Sequence, residues 1–113
     1  MDFVALDLSR FGSSLMEDAG AAPNGLATQR VPADDDAHLR VIGIGIAAGH
    51  ELPEHDNPGE AMLQVLSGSV TLHSVDGRAV PLTAGMLAPI PQARHHIEAH
   101  ETSALLLVQV ARA

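Results

Sequence analysis

Cysteine is absent from this chain, as are tryptophan, tyrosine and lysine, and phenylalanine occurs only twice. Without cysteine there is neither a disulfide framework nor a thiolate to hold a metal. With Phe3 and Phe11 as the sole benzene rings, a ligand pocket has little on which to stack a sugar or a nucleobase. Six arginines face fourteen aspartates and glutamates, a net charge of −8. That balance argues against nucleic acid and against an anionic membrane surface as partners, since both need a basic face. No apolar run reaches the roughly eighteen residues of a membrane span, and "MDFVALDLSR" lacks the basic start of a signal peptide. The expectation is a soluble, cytoplasmic protein with no nucleic-acid or membrane partner.

What is present is a core of Leu, Val, Ile, Ala and Met, and 113 residues make one domain of modest size. Residues 1–37 read as an arm of one short helix and loops. In "LSRFGSSLMEDAG" Phe11, Leu15 and Met16 fall at helical spacing, with Ser9 as N-cap and Gly20 as stop signal. "AAPNGLA" supplies a turn cluster at Pro23, Asn24 and Gly25, and Asp34, Asp35 and Asp36 make a solvated loop.

From residue 38 to 113 the pattern is all-β. "HLRVIGIGIAAG" puts Ile42, Ile44 and Ile46 on one strand face and Gly43 and Gly45 on the other, where the glycines imply a close neighbour. "AMLQVLSG", "SVTLHSVDG", "AVPLTAGMLAPIP", "HHIEA" and "TSALLLVQV" follow, each ended by Gly, Pro or polar residues. "VDGR", with Asp76 and Gly77, is the clearest hairpin signal. Short strands at this spacing make an antiparallel sandwich or barrel. The run from Ala104 to Val108 is apolar on both faces, which suits a central strand or a dimer contact.

Seven histidines raise the question of a metal. His55 and Asn57 share one face of an extended segment. His95 and His96 are adjacent, so only one of them can point inward, and His96 shares its face with Glu98 and His100. If the strands carrying His55 and His96 lie side by side, two imidazoles meet inside the barrel. His50 precedes this segment. His73, alternating with Val70 and Leu72, reads as a surface residue, and His38 and His95 have no evident partner. Gln64 reads as outward-facing.

From Gly49 to about Val110 the chain resembles a small bacterial single-domain cupin. Gly49, His55 and "QVLSG" with Gly68 are similar to that family's first motif. Asn57 stands at its second histidine and Ala61 at its glutamate. Gly85, Pro91 and His96 follow the second motif, with Ala93 in place of the inner glycine. The resemblance implies a cupin-type antiparallel β-barrel, or jelly roll, behind a short N-terminal helical arm. The family's metal is held by three histidines and a carboxylate, of which His55 and His96 remain. Glu60, turned inward by a bulge at "NPGEA", His50 and Asn57 are the candidates for a third ligand.

These readings define the expectations. Met62, Leu63, Val65, Met86 and Leu87 are candidate walls of the pocket. The barrel binds a small polar molecule, with or without a weakly held divalent metal (iron, manganese, nickel or zinc). The alternatives are a metal-dependent dioxygenase or isomerase, and a structural or regulatory dimer without pocket chemistry. A homodimer is expected, since small cupins commonly dimerise and the glycine face and apolar last strand suit a contact.

Overall fold

The computed structural model describes residues 4–56 and 59–110. Its one helix, α1 (Leu8–Ala21), starts at Asp7, whose carboxylate accepts from the N–H groups of Ser9 and Arg10 at 3.0 and 3.2 Å. Asp7 is therefore the N-cap, and Ser9, expected in that role, donates to it instead. The helix passes Gly20 by one residue and stops where Ala22, extended at ψ 139°, precedes Pro23. Phe11, Leu15 and Ala19 recur every four residues and form its buried stripe.

Among the described residues nine strands follow: β1 (Leu26–Arg30), β2 (Leu39–Ile46), β3 (Glu51–His55), β4 (Glu60–Ser67), β5 (Ser69–Ser74), β6 (Ala79–Thr83), β7 (Leu87–Pro89), β8 (His95–Ala99) and β9 (Ser103–Val110). They form two sheets, ordered β1-β2-β9-β4-β7 and β3-β8-β5-β6, with every pairing antiparallel. Between them lies the main core, including Ile44, Ile46, Leu63, Val65, Leu82, Ile97 and Leu105. This is a jelly-roll sandwich. The β5–β6 hairpin turns at Asp76 and Gly77 as expected, with Gly77 at φ 92°.

Strand β1 lies within the segment read from sequence as an arm. It pairs with β2 from Leu26↔Ile46 to Arg30↔Ile42 and so belongs to the larger sheet. "LATQR" escaped notice because an edge strand can be polar over most of its length, and three of its five residues are exposed.

Gly43 and Gly45 do have a close neighbour, and it is α1. A methyl at Gly43 would overlap the Phe11 ring, and one at Gly45 would overlap the Leu15 carbonyl oxygen. The glycine face is thus covered by the chain's own helix. Strand β9 is central, between β2 and β4, with Leu105 in the inter-sheet core and Ala104 and Leu106 beneath α1. Both features that suggested a homodimer contact are satisfied within one chain.

Candidate functional site

Strand β8 decides which histidine enters the barrel. Its buried residues are His95, Ile97 and Ala99, while Glu98 and His100 are exposed. His95 stands opposite His55 on β3 and opposite Ser74 on β5, so the three form an inward row across the smaller sheet. The His55 and His95 rings meet edge to face, with centroids 4.2 Å apart and planes at 66°. His96 has the opposite strand phase. It stacks on His73 of β5, 4.5 Å between centroids and 10° between planes. The inward neighbour of His55 is therefore His95, and the motif spacing that selected His96 is one residue out of phase with the strand.

The two inward rings are anchored alike. His55 Nδ1 lies 2.8 Å from the Pro53 carbonyl oxygen, and His95 Nδ1 lies 2.9 Å from that of Ala93. A carbonyl can only accept, so each Nδ1 carries the proton and, in the neutral ring, each Nε2 keeps a lone pair. His95 is 1% exposed and its Nε2 has no hydrogen-bond partner. Burial pushes the His95 pKa below its ordinary value, outweighing the opposite pull of the Ala93 carbonyl. Leaving such a nitrogen unpaired costs on the order of 1–3 kcal/mol.

A cavity of about 40 Å³ adjoins the pair, with Ala61, Ile90, Leu107 and Gln109 among its walls. It has room for a few waters or one small functional group. Asp56 also reaches its edge. Outside, Arg94 donates to Glu54 at 2.7 Å and reaches Asp56 at 3.5 Å, joining the end of β3 to the approach to β8. The Arg94 guanidinium holds the Glu54 carboxyl below the usual range.

The other expected site residues lie elsewhere. Strand β4 keeps regular register with β9 from Glu60↔Val110 to Val65↔Leu105, so no bulge turns Glu60 inward. Ala61 faces the cavity and Glu60 is exposed. His50 is exposed beyond the opposite end of β3, against Gly25. Asn57 lies outside the described residues. Of the candidate walls, Leu63 and Val65 are buried in the core, whereas Met62, Met86 and Leu87 are exposed. His73 and His100 are surface residues, bonded to Glu98 at 3.1 Å and to Thr71 at 2.7 Å.

His95, Ser74 and Gln109 were missed by sequence reasoning. For His95 a signal existed, because His95, Ile97 and Ala99 make the apolar phase of "HHIEAH" and His96, Glu98 and His100 the polar one. Gln109 ends an apolar strand and carries no such mark.

The donor set can be tested against a cupin metal. Against the family's three histidines and a carboxylate, the described residues offer the imidazoles of His55 and His95 and an alanine, Ala61, at the carboxylate position. Among the described residues no group of three or more His, Cys, Asp or Glu could hold a metal ion. These side chains do not fit the four-ligand centre.

The jelly-roll sheets define a β-barrel domain with two histidines turned into its interior. The cupin-domain profile matches residues 44–110, and the chain belongs to the cupin family. Its fold is similar to that of a conserved protein of unknown function from Streptococcus pyogenes, with TM-score 0.74 and 20% identity over 100% of this chain and 91% of the other. A cupin superfamily protein from Desulfitobacterium hafniense gives TM-score 0.68 and 15% identity, over 77% and 78% of the two chains. A salicylate 1,2-dioxygenase from Pseudaminobacter salicylatoxidans gives TM-score 0.75 and 18% identity, over 89% of this chain and 33% of that one. At these identities the likeness is one of fold. No curated protein matches the chain. No helix among the described residues is long and apolar enough to cross a membrane.

Proposed function

We propose that this cupin domain binds a small molecule in the barrel interior through a hydrogen-bond donor on the ligand, received by His95 with His55 beside it. The buried, unpartnered Nε2 of His95 carries this reading. A neutral imidazole held in one tautomer accepts from a hydroxyl, an amine or a protonated carboxyl group. The fold family supports small-molecule binding in general, and one similar structure, a salicylate 1,2-dioxygenase 22% identical to this chain, is a complex with gentisate. A metal-dependent dioxygenase or isomerase would need further ligands. Of the three candidates named from sequence, Glu60 and His50 stand away from the imidazole pair, and Asn57 is outside the described residues.

The test is a panel of hydroxylated and amino compounds, read by thermal shift and by the ¹⁵N resonance of His95 Nε2. A binding compound should raise the melting temperature and move that resonance, and His95→Ala should abolish the thermal response. Stoichiometric metal in protein purified without a histidine tag would overturn the reading. So would a panel that leaves the imidazole nitrogen unmoved.

A further inference from the structure

A second, larger cavity adjoins Ser74. It lies between β6, at one edge of the smaller sheet, and β7, at one edge of the larger, and holds about 370 Å³. Leu72 and Leu82, nearly fully buried, enter its lining from the smaller sheet. Around it stand Val80, Met86 and Leu87, exposed by 44%, 44% and 58%. Large apolar side chains left in water around one cleft are a recurrent mark of a binding site.

The polar groups narrow the occupant. Ser74 is 8% exposed, enters the lining and has no hydrogen-bond partner for its Oγ. Ser74 Oγ and His95 Nε2 are the only such buried side-chain atoms among the described residues, and the two residues are cross-strand neighbours. At the rim the Arg78 guanidinium donates to Asp76 through Nε at 2.8 and 2.9 Å and lies 2.6 Å from it through Nη2. Arg78 holds the Asp76 carboxyl well below the usual range. The rim charges therefore cancel, and no aromatic ring lines the cleft. A carboxylate would find no uncompensated cation there, and a flat ring no stacking surface.

We infer that the cleft takes a small, neutral aliphatic molecule bearing one hydroxyl. Its hydrocarbon part rests on Leu72, Val80, Leu82, Met86 and Leu87, and its hydroxyl meets Ser74 Oγ. The volume stands at the low end for ligand pockets, which suits a body of a few carbons rather than a long chain. The cleft shares no lining residue with the interior cavity, so the inference goes beyond the reading above.

The test uses the full chain, 1-hexanol as probe and hexanoate as comparator, read by methyl ¹H–¹³C NMR. Saturable shifts are expected at the methyls of Leu72, Leu82 and Met86. Ser74→Ala should weaken hexanol by about fivefold, the effect of one neutral hydrogen bond. Hexanoate at neutral pH should bind weaker still, by about tenfold, because its charge must be desolvated. Met86→Trp, at an exposed position, should fill the mouth and abolish the shifts. Shifts that never saturate, or that survive Met86→Trp, would overturn the assignment. Dilution-dependent shifts of these methyls without probe would give the cleft to a second copy and also overturn it. If the cleft methyls stay still while a panel compound moves the His95 nitrogen, the cleft assignment falls and the interior reading stands; if neither moves, both fall.

Discussion

His55 and His95 meet edge to face, 4.2 Å between ring centroids, each ring hung by Nδ1 from the carbonyl two residues before it. The matched anchoring gives both rings the same tautomer and turns a lone pair, not a proton, towards whatever enters. Burial, not the anchoring, makes His95 sensitive to acid, because protonating it places a charge in a nearly dry site beside another imidazole.

The first prediction follows from that burial. The folded-state pKa of His95 lies below its unfolded value of about 6.5. The unfolded chain therefore takes up the proton first, and the stability due to neutral His95 is complete above that pH and lost progressively as the pH falls below it. Urea midpoints measured from about pH 8 down to about pH 5 should decline in the natural protein and decline less in His95→Gln. Equal slopes in the two proteins would contradict the burial argument.

The missing carboxylate can be supplied. Ala61 faces the cavity bounded by His55 and His95, so Ala61→Glu should raise affinity for zinc or manganese by on the order of tenfold or more. Titration calorimetry would measure it, and adding His55→Ala should reverse the gain. No gain on adding the glutamate would mean that the two imidazoles cannot share an ion.

Helix α1 lies so close to β2 that a single methyl is too much. Gly45→Ala drives its Cβ into the Leu15 carbonyl, which the helix holds in place, and should cost about 2 kcal/mol or more. Gly43→Ala meets the Phe11 ring, which can tilt, and should cost less. Chemical denaturation of the two variants gives the order, and a reversed order would place the strain elsewhere.

Asp7→Ala removes both side-chain bonds at the start of α1 and should lower stability by about 1 kcal/mol, while Ser9→Ala should have almost no effect. The same denaturation experiment distinguishes them. A larger loss at Ser9 would return the cap to that residue.

Most of the architecture could be read from the sequence because its strands alternate. The Ile42–Ile44–Ile46 face, the Asp76–Gly77 hairpin and the apolar last strand each carry the period or turn chemistry of the element they form. Strand β1 was lost because an edge can be polar, and β3 because Pro53 and a register irregularity between Leu52 and His55 break its pattern. In the site, His55 was identified and its partner displaced by one position. A motif counts residues along the chain, whereas a pleated strand assigns faces by parity. The loop ahead of His95 sets that parity. Ser74 carries no mark in the sequence, and only the pairing with β8 makes it a neighbour of the imidazole.

Strand β9, last in order among the described strands, sits in the middle of the larger sheet. Without Ser103–Val110, β2 and β4 would be two open edges with nothing between them. The barrel can close only once Ser103–Val110 slides into the gap. Closure of the larger sheet therefore waits on this strand, and a chain truncated before β9 would be prey to proteases or to pairing with a neighbour.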